Sequence, residues 1–121
     1  MDKQRVAGWV ISAIPGLMIG SSGVNMLLKM PFVIEGLVKF GYPESSLMGM
    51  GLAAFLSAVL FLIPRTAMVG AILLTGYLGG ATATHVRAGE PWFFAVIFGV
   101  LVWVGLVMRD AKVRSAVGFS K

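Results

Sequence analysis

Four apolar runs divide the chain. Val6 to Leu28, Leu47 to Ile63, Thr66 to Thr84 and Pro91 to Met108 each proceed without Asp, Glu, Lys or Arg. A helix needs about 17–25 mostly apolar residues to cross a bilayer, so each run is expected to be a membrane span. Spans two and three are joined only through Pro64-Arg65, which forces them into an antiparallel hairpin. Gly89-Glu90-Pro91 punctuates the next turn, with Gly as a helix stop and Pro in the first turn that follows. The connection between spans one and two is longer and mixed. Val33, Leu37 and Phe40 recur at helical spacing, with Glu35 and Lys39 one turn apart. A short amphipathic helix over about residues 31–42 is expected there, lying in the interface plane with Tyr42, like Trp92, as an anchor.

Composition agrees. Of 121 residues 58% are apolar and 12% charged, against roughly 25% charged in a soluble domain, which excludes both a solvated globule and a disordered chain. The fold class is therefore all-α: a single-domain integral membrane four-helix bundle with an interfacial helix between spans one and two. With no cysteine, disulfides, thiol redox chemistry and thiolate metal sites fall away. A cleaved signal peptide fits the first span poorly, because that run exceeds a 7–15-residue apolar core and contains Pro15.

The net charge of +5 is mainly an orientation signal. Lys3, Arg5, Arg65, Arg109, Lys112, Arg114 and Lys121 fall on one side, and Lys29, Lys39 and Arg87 on the other with Glu35, Glu44 and Glu90. By the positive-inside rule both termini are cytoplasmic. No basic segment is interleaved with aromatics, so nucleic acid is not an expected partner. The lipid bilayer is.

Small residues at four-residue steps read as helix-packing stripes. They are Gly8, Ser12, Gly16 and Gly20 in span one and Gly49, Ala53 and Ser57 in span two. Span three carries Ala67, Ala71, Thr75, Gly79 and Ala83, with Gly76, Gly80 and Thr84 beside them. Span four, aromatic and with only Ala95 and Gly99 so spaced, is expected to be the most lipid-exposed. Pro15 is expected to kink span one, with Ser12 taking up part of the freed backbone.

The candidate chemistry lies in one outer band. Asn25 and Lys29 are four apart at the end of span one; Tyr77, His85 and Arg87 mark the outer half of span three. Polar groups within a bundle are expensive and point to function. Each also has a structural use: Lys29 and Arg87 as snorkelling span ends, Asn25 as an interhelical bond, Thr75, Thr82 and Thr84 as back-bonding threonines. His85 and Arg87, two apart, face nearly opposite sides of a helix and are not expected to share a pocket. Glu35 and Glu90 are placed to pair with Lys29 or Arg87. One His without Cys gives no metal site, and no nucleophile elbow, P-loop or zinc-protease motif is present.

Ile63-Pro64-Arg65-Thr66-Ala67, followed by Leu74-Thr75-Gly76-Tyr77-Leu78-Gly79-Gly80-Ala81-Thr82-Ala83-Thr84-His85-Val86-Arg87-Ala88-Gly89, resembles the DoxX-like family of small bacterial four-helix membrane proteins. The resemblance spans nearly the whole chain and implies the bacterial inner membrane. The wider family takes its name from subunits of a thiosulfate:quinone oxidoreductase, with other relatives in redox-stress complexes, which implies an oxidoreductase partner. If the role is redox, a quinone headgroup at the outer face would meet Tyr77, His85 or Arg87, with Asn25 or Lys29 opposite. Two further readings are a non-catalytic scaffold that stabilises a partner or self-associates, and a small transporter. The absence of Asp and Glu from the spans counts against transport.

Overall fold

The computed structural model describes residues 2–119; Lys121, counted above with the C-terminal basic residues, lies outside them. The described chain is helical, with six α-helices and no strand: α1 (Lys3–Leu27), α2 (Pro31–Lys39), α3 (Leu47–Leu62), α4 (Ala67–Ala88), α5 (Phe93–Arg109) and α6 (Ala111–Ala116).

Local chemistry sets the boundaries. Asp2 caps α1 by accepting from the Arg5 amide at 2.7 Å. Pro31 opens α2 at a position that has no amide to satisfy. At the α3–α4 hairpin the Thr66 hydroxyl donates to the Leu60 carbonyl at 2.8 Å. Gly89, at φ 72°, closes α4 in the left-handed region. Asp110 leaves helical geometry and caps α6 through the Lys112 and Val113 amides, which ends α5 one residue after the last apolar position. A separate α6 was not foreseen.

Three helical segments are long and apolar enough to cross a membrane: Lys3–Leu27, Glu44–Leu62 and Pro64–Ala88. The fourth apolar helix, Phe93–Arg109, has 17 residues. α1 packs against α3 and α5, and α4 lies against the same two helices on the other side. Phe61, Leu74, Val102 and Leu106 fill the centre, while Val10, Leu17, Ile72, Phe94 and Val100 point outward. An apolar exterior around an apolar centre is the pattern that lipid permits and water does not.

The stripe on α1 packs as expected, divided between two neighbours. A side chain at Gly8 would meet the Arg109 amide at 2.7 Å, and one at Gly23 would meet the Phe55 amide at 2.7 Å. Other expectations need correction. Ser12 is buried at the α5 crossing beside Gly105, and its hydroxyl has no hydrogen-bond partner, so it does not repair the backbone at Pro15. The packed face of α3 is Leu47, Gly51, Ala54, Ala58 and Phe61 with Ser57, whereas Gly49 and Ala53 are exposed. On α4, Ala67 and Ala71 are buried, but Gly76, Gly79 and Gly80 face open space. Leu74 and Leu78 make the inward contact along that stretch and turn the glycines outward. Span four is not the most exposed helix: it lies between α1 and α4 with Ala95, Val102, Gly105, Leu106 and Arg109 buried.

α2 forms where the spacing predicts it and packs against the bundle. Its buried Leu37 joins Met26 and Leu47 in a second cluster, with Val33, Ile34, Tyr42 and Met50 packed around it. The helix is thereby fastened over one end of the α1–α3 pair.

Candidate functional site

The polar band is built where the chain leaving α2 meets the end of α4. α4 continues past the expected end at Thr84 to Ala88, which keeps His85 and Arg87 on regular helix. Thr84 donates to the Gly80 carbonyl at 2.9 Å, so its oxygen accepts from the Tyr42 hydroxyl at 2.5 Å. His85 Nδ1 lies 2.7 Å from the Ala81 carbonyl. A carbonyl only accepts, so Nδ1 carries hydrogen, and in the neutral ring Nε2 is then an acceptor. The His85 ring also sits 4.9 Å from that of Phe40, and Arg87 Nη2 donates to the Phe40 carbonyl at 3.3 Å. His85 and Arg87 thus meet the same residue despite their spacing, because the long Arg87 side chain reaches around the helix end.

Lys39 and Glu90 form an ion pair at 2.6 Å, in place of the pairings expected with Lys29 and Arg87. The hydrogen bond from Lys39, with its charge, holds the Glu90 carboxyl below the usual carboxylate range. Glu35 is exposed.

Of the other candidates, Asn25 is half-buried in the last turn of α1. Lys29 is exposed and lies beyond the helix, at φ 54°, so it does not share a helical face with Asn25. It occupies the left-handed position that glycine usually takes after a helix. Tyr77 is half-buried against the main core. The threonines back-bond as expected: Thr75 to the Ala71 carbonyl at 2.7 Å and Thr82 to that of Leu78 at 2.8 Å.

Two features escaped the sequence reading. Trp103 Nε1 donates to Thr75 Oγ1 at 2.7 Å, on the wall of an apolar groove of about 600 Å³ between α4 and α5. Its α4 side is the row Thr75, Leu78, Gly79 and Thr82, which His85 continues one turn further. At the opposite end of the protein Arg109 is buried beside Trp9. Its place after the last apolar residue made it look like a simple orientation charge. Among the described residues no group of His, Asp and Glu side chains could hold a metal ion.

The family model for the DoxX-like family matches residues 10–108. No curated protein and no solved structure matches significantly. Together with helices long and apolar enough to cross a bilayer, the match makes this a small membrane protein in contact with lipid. The chain belongs to the DoxX-like family.

Proposed function

We propose that the chain is a single four-span domain of the bacterial inner membrane, with both termini cytoplasmic, that serves as a membrane subunit of a redox assembly and leaves the chemistry to its partner. The supporting observation is that three polar contacts of the band join segments of the chain to one another. Thr84 holds Tyr42, Arg87 holds the Phe40 carbonyl, and Glu90 holds Lys39. Groups that transform a substrate must reach it; these instead pin α2 to α4 and its exit turn. In this reading α5 is the fourth span, about 25 Å long at 1.5 Å per residue and at the short end of the usual range.

The absence of cysteine makes the topology directly testable. Cysteines placed at Ser46 and at Ser115 are read with a membrane-impermeant maleimide in intact cells. Labelling at 46 alone is expected; labelling at 115 would overturn the orientation. For the partner, a photo-cross-linking residue at outward-facing Val10 or Gly76 in native membranes is expected to capture an oxidoreductase subunit. Adducts confined to lipid and to second copies would overturn the redox assignment and favour a self-associating scaffold.

A second reading, that the chain itself holds a quinone-class molecule, is favoured by the α4–α5 groove. Its apolar walls suit an isoprenoid tail, and His85, one turn beyond Thr82 and outside the groove lining, has an Nε2 that can accept from a hydroxyl. That geometry favours the quinol over the quinone, because a quinone carbonyl cannot donate. Added quinol is expected to raise the melting temperature of purified protein more than quinone does. Gly79→Leu and His85→Phe are expected to abolish the rise. No shift in the wild type would overturn it.

A further inference from the structure

At the end of the protein opposite α2, the start of α1, the α3–α4 turn, the end of α5 and α6 enclose a cleft of about 900 Å³. Its basic residues are Arg5, Arg65, Arg109, Lys112 and Arg114. The two acids that line it are already committed: Asp2 to the Arg5 amide and Asp110 to the Lys112 and Val113 amides. Arg114 is committed as well, donating to the Val107 and Met108 carbonyls.

Arg109 differs from the rest in being only 7% exposed. Nη2 donates to the Phe61 carbonyl at 2.5 Å, and the guanidinium lies 4.1 Å from the Trp9 ring centroid and 4.6 Å from that of Phe61. Its Nε and Nη1 are buried and have no hydrogen-bond partner. The one side-chain ion pair among the described residues is Lys39–Glu90, at the far end. Asp110, next in the chain, supplies nearby negative charge but no hydrogen bond to the guanidinium; buried donors left without partners are costly, and an anion that takes them removes the cost. An orientation signal would not need burial.

We propose that this cleft binds the phosphate of an anionic ligand, with Arg109 as its floor and Arg5, Arg65 and Lys112 as its rim. The Nε–H and Nη1–H donors, which have no partner within the chain, point to different sides of the planar guanidinium, and each is available to a phosphate oxygen. Half-exposed Trp9 covers the guanidinium and moves to admit the ligand. The same chemistry is carried by an anionic phospholipid headgroup and by a free phosphate compound. In the four-span reading the cleft opens at the cytoplasmic membrane surface, where basic pockets between helices meet lipid headgroups.

The full-length chain is tested in two arms. In nanodiscs, retention of phosphatidylglycerol over phosphatidylcholine is measured by native mass spectrometry. In detergent, inorganic phosphate and glycerol 1-phosphate are titrated against melting temperature and tryptophan fluorescence. At least tenfold lipid preference supports the headgroup; a saturable shift with the soluble phosphates supports the free compound. Arg109→Met is expected to abolish either response while raising the ligand-free melting temperature, since it removes a buried charge with two unsatisfied donors. Should that variant not fold, Arg5→Gln/Arg65→Gln is compared with Lys29→Gln/Arg87→Gln, which loses equal charge at the opposite end. Loss of retention in the first pair alone supports the cleft. No response in the wild type, or equal losses in the two pairs, overturns it. The maleimide labelling described above separates this failure from failure of the four-span topology.

Discussion

The hydroxyl of Tyr42 donates to Thr84 Oγ1 at 2.5 Å, joining residues 42 positions apart. Thr84 has already given its own proton to the Gly80 carbonyl, so the two substitutions that break this bond are not equivalent. Tyr42→Phe leaves Thr84 satisfied and is expected to cost about 0.5 kcal/mol, near the average for hydrogen bonds within membrane proteins. Thr84→Val strands a half-buried phenol and is expected to cost about 1–2 kcal/mol. Thermal unfolding in detergent measures both. In the double variant the cost of Thr84→Val should shrink, because no phenol is left to strand.

The Lys39–Glu90 pair gives α2 a pH dependence of known sign. Because Lys39 holds the folded Glu90 carboxyl below its ordinary value, the pair stabilises above the unfolded carboxylate pKa. The contribution is lost as pH falls through the lower folded value. The melting-temperature difference between wild type and Glu90→Gln should be present at pH 7, shrink with acidification below the ordinary carboxylate range, and shrink with added salt. A difference that grows toward acid would contradict the pairing.

Lys29 makes a conformational prediction. Its backbone sits at φ 54°, where the amides of Lys29 and Met30 close α1 on the Met26 and Asn25 carbonyls. A side chain pays for this region and glycine does not. Lys29→Gly is expected to raise stability by about 1 kcal/mol, seen as a higher melting temperature. If Lys29 instead held a ligand at the outer face, the same substitution would abolish that binding.

These sites explain what the sequence made legible. Apolar runs carry their own length and charge boundaries, so helix positions followed to within a few residues, and Val33, Leu37 and Phe40 marked α2 by spacing. The small-residue stripes were less readable because spacing identifies a face without naming its neighbour. Gly8 meets α5, Gly23 meets α3, and Gly76 meets nothing within 4 Å of where its side chain would begin. Thr84 was read as a back-bonding threonine, which it is, but its second partner lies half a chain away. Arg109 was hidden because the basic residues that orient a membrane protein and the one buried among aromatics are the same letters in sequence.

The two ends of α4 turn the difference between packed and open glycine into a measurement. A Cβ at Gly70 would overlap the Phe61 backbone at the α3–α4 crossing, whereas one at Gly76 or Gly80 meets nothing within 4 Å. Backbone atoms cannot rotate away, so Gly70→Ala must push the helices apart and is expected to cost about 3 kcal/mol. Gly80→Ala adds a methyl on an open face of a helix in which alanine is intrinsically better by about 1 kcal/mol, so it should be neutral or stabilising in detergent. Measured in native membranes, the same variant reports on the partner. If α4 meets another protein helix there, close approach depends on the missing side chain, and Gly80→Leu should reduce photo-cross-linking from Gly76 while leaving the isolated protein folded. Unchanged cross-linking in Gly80→Leu would remove α4 from the contact surface and direct attention to the outward face of α1.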